Sequence, residues 1–188
     1  MSDARPAKTV FFLDIARNSG WCEGPVGGTP QFGSVRLAPD GSDSPAVFSG
    51  LLQFLGTRFQ AFRPNMFVYE APRDPRHMGM RTSAAALRML IGLPAVAEAT
   101  AYAAGVWDIR EAEASSIRAF LLPPAPKGKG RKDKGQLKRE VFEHVQSLGF
   151  EAKNYDESDA VAGWLYACSV IDGQVGVRST PLFSKQDF

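Results

Sequence analysis

Two acids in this chain sit where acids are expensive. Asp14 interrupts the apolar run FFLDIA, and Glu70 closes FVYEAP. Burying an unpaired carboxylate costs free energy, so each needs a reason to be there. Two more acids, Asp156 and Asp159, stand three apart in NYDESDAVAGWLYA, where another apolar run begins. Residues three apart on a helix share a face. Four carboxylates gathered in one place repel one another unless they share a cation. Oxygen donors without histidine or cysteine suit magnesium or manganese. Two such ions side by side can activate a water and stabilise a leaving oxygen in phosphodiester hydrolysis. Each acid alone also has a plainer role: Asp156 as a helix N-cap in the field of the helix dipole, Asp14 as a brace for the RNSG turn, and Glu70 as an exposed strand end.

A second feature points toward phosphate. Residues 127–139, KGKGRKDKGQLKR, carry seven basic residues against one acid. The whole chain is only +2, so the remainder is net −4. A basic island on a slightly acidic body suits a local anionic partner such as nucleic acid. A solvated charged loop is the plainer alternative.

These residues need elements to hold them. TVFFLDIA (9–16) reads as a buried strand and RNSG as a turn. GWCEG (20–24) and QFGSVRL (31–37) complete a three-stranded antiparallel meander. Helical periodicity covers 42–62, and NMFVYEAP (65–72) is a fourth strand. A long alanine-rich helix is expected over 82–105, kinked or split at Gly92–Pro94. VWDIREA (106–112) is a fifth strand, and 114–122 a short helix with Ser115 or Ser116 near its cap. Residues 134–150 form an amphipathic helix with Val141, Val145 and Leu148 on one side and Gly149 as its stop. The last helix covers 156–173. This order is an α/β pattern with a mixed sheet. If the strands bearing Asp14 and Glu70 are parallel neighbours, both acids reach one cleft at their carboxyl ends.

With 188 residues the chain can bury one real core, and 44% hydrophobic against 22% charged residues is an ordinary globular balance. No apolar stretch is expected to span a membrane, and MSDARPAK lacks a signal-peptide core, so a cytoplasmic location is expected. Cys22 and Cys168 have no metal-like spacing, and no disulfide is expected between them. Trp107, Trp164 and Phe142 read as core residues. His77 reads as exposed.

At this point the sequence resembles the RuvC-type Holliday junction resolvases of the ribonuclease H-like superfamily, in a phage-like form. The resemblance runs from about Thr9 to Ile171. FLDIARNSGWCEG is similar to the family's first strand and its turn, FVYEAP to the strand ending in the second acid, and DESDA to the D-x-x-D-A helix start. It implies a ribonuclease H-like α/β fold, a mixed five-stranded sheet with helices on both faces. It implies one nuclease domain over 1–188, with a core at about 9–172, a flexible basic loop at about 123–134 and a tail at about 173–188. By the same match Asp14, Glu70, Asp156 and Asp159 would bind two Mg²⁺ (or Mn²⁺) ions per active site. GKGRKDKGQL resembles the family's basic segment and places Lys134 as the catalytic lysine that neutralises charge developing on the phosphate. Arg118 resembles a second DNA-contact position. Arg73, Arg76, Arg81, Lys127, Lys129, Arg131, Lys132 and Lys138 complete the expected DNA-binding set.

The implied activity is a metal-dependent endonuclease on branched DNA, resolving four-way junctions by paired symmetric nicks. A homodimer would supply two active sites related by a twofold axis. One departure opens an alternative. APRDPRHMGMR, after Glu70, lacks the aromatic that wedges into the junction in well-studied cellular members. A related nuclease acting on flaps, forks or hybrids is therefore the rival, followed by a DNA-structure-binding protein without catalysis.

Overall fold

A computed structural model describes residues 7–72, 83–123 and 133–173. The elements run β1 (Thr9–Asp14), β2 (Asn18–Pro25), β3 (Gln31–Arg36), α1 (Ser44–Ala61), β4 (Met66–Glu70), α2 (Ala84–Ala103), β5 (Asp108–Ala112), α3 (Ala114–Leu121), α4 (Lys134–Ser147) and α5 (Tyr155–Ile171). The strands form one sheet in the order β3-β2-β1-β4-β5. The β1–β2 and β2–β3 pairs are antiparallel; β1–β4 and β4–β5 are parallel. This is the mixed five-stranded sheet that the sequence implied, with the expected meander at one side.

Strand side chains alternate between the two faces of a sheet. Val10 and Phe12 of β1, with Met66 and Val68 of β4, pack in one core with Val141, Val145, Trp164 and Cys168 of α4 and α5. Phe11, Leu13, Phe67 and Tyr69 face the opposite core, built with Leu51 and Leu55 of α1 and Leu93, Ala97 and Ala101 of α2. Continuing the alternation by one step sends Asp14 and Glu70 to the α5 side. Two glycines let α5 lie close on that side. A Cβ on Gly163 would overlap the ring of Phe12, and a Cβ on Gly20 would overlap the carbonyl oxygen of Asp156. The helix start therefore rests directly on β2.

The second core holds two polar ties. The Tyr69 hydroxyl lies 2.5 Å from Glu98 and 2.8 Å from Glu111, joining α2 to β4 and β5. Burial, helped by both carboxylates, pushes the Tyr69 pKa up, so the phenol stays protonated. Glu23 of β2 pairs with Arg58 of α1, whose guanidinium also lies 4.0 Å from the centre of the Trp21 ring.

Several expectations need correction. The long helix expected over 82–105 is α2, continuous from Ala84 to Ala103 with Pro94 inside it, and of the two alternatives at Gly92–Pro94 the split does not occur. Proline removes one helical donor, and the flanking turns, packed through Leu93 and Ala97, carry the helix through. This helix is also long and apolar enough to cross a membrane by length and composition, which the sequence reading did not anticipate. Trp107 is no core residue: it is 70% exposed, edge-on to exposed Tyr102 with ring centres 4.7 Å apart. Trp164 is buried as expected, and Phe142 is partly buried against the same core. The cap of α3 is Glu113, not Ser115 or Ser116. Asn18–Gly20 of RNSG already belong to β2, so the turn lies before them. Cys22 and Cys168 are both buried and free.

Candidate active site

Asp14 is the last residue of β1, and its pairing partner on β2 is Gly20. The parallel register joins Leu13 to Tyr69, so the next residues, Asp14 and Glu70, end neighbouring strands side by side. Burial pushes the Asp14 carboxyl up to about 7. The charges of Glu70, Asp159 and Asp156 add to the rise, and Lys138 opposes it. The other three acids thus act on Asp14. The role of turn brace belongs to Ser19, whose hydroxyl donates to the Ala16 carbonyl (2.7 Å) and accepts from the Ala16 N–H (3.2 Å). Among the described residues the Asp14 side chain has no hydrogen bond or ion pair.

The start of α5 is capped by Asn154, not Asp156. Its side-chain oxygen accepts from the Glu157 N–H (2.9 Å). Glu157 turns back to accept from the Lys153 N–H (2.7 Å), and the Asn154 amide donates to Ser34 on β3 (3.1 Å). Asp156 is therefore relieved of capping and stands in the first turn, where the dipole favours an acid. Asp159, one turn on, is only 14% exposed and lies 3.3 Å from the Lys138 ammonium. Burial raises its pKa, while Lys138 and Arg118 hold it down. Burial works against the Lys138 charge, but Asp159, then Asp14 and Asp156, outweigh it, and its pKa rises.

Arg118 on α3 shares a small cleft with Glu70 and Asp159. Two basic side chains thus stand at the rim of the acidic cluster, from α3 and α4. Lys134 is exposed at the first position of α4, after the cap Asp133. Lys138 is the lysine that reaches Asp159. Lys134 and Lys138 are four apart and share a helix face. Arg73, Arg76, Arg81, Lys127, Lys129, Arg131 and Lys132, with His77, lie outside the described residues.

The donor set is chemically suited to magnesium or manganese: all oxygen, excess negative charge, and one acid with no partner. Among the described residues, no three acidic, histidine or cysteine side chains converge to hold an ion as they stand. Asp159 is engaged by Lys138 in this arrangement.

The sheet order and the helices on both faces define an α/β fold, and that fold is the one RuvC-type resolvases have. The fold is similar to that of Thermus thermophilus RuvC in complex with a Holliday junction substrate, with a TM-score of 0.64, 14% identity, and coverage of 88% of this chain and 96% of that one. A second Thermus thermophilus RuvC structure gives 0.60 at 17% identity over 88% and 96%. The yeast mitochondrial Holliday junction resolvase gives 0.55 at 15% identity over 94% and 85%. At these identities the likeness is one of fold. No protein-family model matches the chain, and no curated protein matches it in sequence.

Proposed function

We propose that this protein is a metal-dependent endonuclease of branched DNA that resolves four-way junctions. The observation that carries the reading is Asp14. A carboxylate at the end of the central strand has no pairing partner among the described residues, and three further acids stand around it. Structures of the same fold include one bound to a Holliday junction substrate, which favours a branched substrate.

In this reading Asp14, Glu70, Asp156 and Asp159 would hold two divalent ions, and those ions would supply water activation and charge stabilisation for the leaving oxygen. Asp14 takes the central place, between Glu70 on the sheet and the two acids of α5. Lys138 balances the acids in the metal-free protein and turns to the phosphate when DNA binds. Arg118 places a second cation on the same phosphate, which suits charge developing there. Lys134 contacts the DNA backbone nearby. Hydrolysis leaves a 5′-phosphate and a 3′-hydroxyl.

Paired nicks require two sites, and we assign the dimer contact to α2. Arg88, Ile91, Ala95, Glu98 and Tyr102 follow a three-four spacing along the helix, a coiled-coil seam. Ile91 is 58% exposed and Tyr102 63% exposed. An antiparallel second copy brings the Arg88 end of one helix to the Tyr102 end of the other, and Ala95 near the centre permits close approach.

The test is cleavage of a labelled four-way junction, with linear duplex as control, in magnesium and then manganese, beside Asp14→Asn. Paired symmetric nicks confined to the junction and absent from the variant are expected. Junction binding without cleavage by the wild type would leave a structure-binding protein.

A further inference from the structure

We propose that the cavity on the α2 side of Glu70 receives an unstacked nucleobase of the strand being cut, next to the scissile phosphate. This rests on the branched-DNA nuclease reading above and adds a specificity site to it. The cavity holds about 350 Å³ and opens where β1 and β4 end against the first half of α2. In the order β3-β2-β1-β4-β5 the chain continues toward opposite edges of the sheet from this point. Such switch points are where open α/β sheets bind ligands.

Glu70 lines this cavity and also the small cleft that contains Asp159 and Arg118. Residue Glu70 thus stands between a charged floor and an apolar chamber. A ligand that fits both has an anionic group and a flat, largely apolar group close together, which describes a nucleotide. The chamber walls are Ile15, Pro72, Met89, Leu90 and Leu93, with Arg17 at one side. The Arg17 guanidinium is fixed by the carbonyls of Pro39 (3.3 Å) and Ser42 (2.9 Å), so it offers a planar cation without further ordering. A volume at the small end of the range for ligand sites suits one base better than a larger group. Met89 allows the wall to adapt to more than one base.

The cavity also supplies what the loop after Glu70 lacks in sequence. Enzymes that withdraw a base from a stack select places where unstacking is cheap. Bases at a branch point meet that condition and bases within duplex do not. Branch selectivity then needs no aromatic wedge.

The experiment places 2-aminopurine at each position flanking the nick of a four-way junction, with wild-type protein in calcium. Among the described residues no aromatic side chain lines the cavity, so a captured base escapes stacking and brightens. We expect one position beside the nick to brighten severalfold. Ala86→Phe, on the exposed first turn of α2, fills the cavity and removes the brightening while junction binding persists. Met89→Phe is the second blocking variant. A dark scan with wild type, or brightening that survives both substitutions, overturns the proposal. A dark scan joined to loss of the dimer in Ala86→Phe also overturns it, and assigns the chamber to the second copy. The same junctions are run in magnesium. Nicking with a dark scan rejects the pocket alone. No nicking in any metal rejects the nuclease reading beneath it.

Discussion

The α-carbon of Gly20 lies against the carbonyl oxygen of Asp156, in the space a side chain would occupy. Gly20 is also the strand partner of Asp14. One missing Cβ therefore brings the start of α5, with Asp156 in its first turn and Asp159 one turn on, over the end of β1.

Gly20→Ala should separate the acids without removing any. The new Cβ meets backbone, which cannot rotate away, so the start of α5 must shift. Overpacking of this kind costs roughly 1–3 kcal/mol. We expect magnesium-dependent cleavage to fall by about 100-fold or more, since small misplacements at a reaction centre are costly. Gly56→Ala is the control: nothing lies within 4 Å of its Cβ on α1. It should stabilise by roughly 0.5–1 kcal/mol and leave cleavage intact. Thermal melts and nicking rates on both variants check this. Full activity in Gly20→Ala would sink the argument.

The metal-free protein should lose stability as pH rises from about 4 to about 7. Burial, with Glu70, Asp159 and Asp156, raises the Asp14 carboxyl from 3.8 to about 7. Between these values the folded state holds a proton that the unfolded chain has released. Its contribution is present at low pH and is lost as pH rises through the folded value. Asp14→Asn never acquires the charge. In EDTA it should be more stable than wild type at pH 8, by on the order of a few kcal/mol, and similar to it near pH 4. Magnesium at pH 8 should raise the wild-type Tm and not that of the variant. Parallel pH curves for the two proteins would remove Asp14 from the argument.

The two lysines of α4 should separate by role. Lys138 reaches Asp159 and Lys134 is exposed. Lys138→Ala should slow cleavage by roughly 10–100-fold with a small change in junction affinity, as loss of a preorganised cation does. Lys134→Ala should weaken binding and reduce its salt dependence by about one phosphate contact. Single-turnover rates and a salt titration distinguish them. The reverse pattern would return the catalytic role to Lys134.

The Glu23–Arg58 pair should matter for folding alone. Burial raises the Glu23 pKa, and Arg58 opposes that rise. Arg58→Ala leaves a buried acid without its cation, at a cost of about 3–5 kcal/mol at pH 8. The cost should shrink toward pH 5 as Glu23 takes up a proton. Glu23→Gln with Arg58→Met should recover most of the loss. Denaturant melts at the two pH values check the sign.

The sequence showed the strands and the acids because both follow period-two rules. FFLD and FVYE each alternate between two cores, so the placement of Asp14 and Glu70 on one face was readable. It did not show that Asn154 rather than Asp156 caps α5, since both are good caps and only the chain path chooses. The continuity of α2 through Pro94 was hidden for a similar reason: local propensity favours a break, and packing against α1 overrides it. Trp107 misled because aromatic bulk does not specify side. The contact of Lys138 with Asp159 depends on how α4 crosses α5, which no local pattern encodes. The cavity beside Glu70 joins the segment after β1, the end of β4 and α2, and has no sequence signature.

The α2 seam yields the last prediction. Ile91 is exposed on a helix otherwise packed through Leu93, Ala97 and Ala101. A charge at that position faces solvent in a monomer and apolar surface in a dimer. Ile91→Glu should therefore leave the melting of the monomer nearly unchanged, because surface substitutions usually act within about 0.5 kcal/mol. It should shift sedimentation from dimer to monomer at micromolar concentration. Each active site remains complete in one chain, so single nicks should persist, while simultaneous paired nicks in a supercoiled cruciform should give way to sequential ones. A dimer that survives Ile91→Glu with coupled nicking would place the twofold contact on another face.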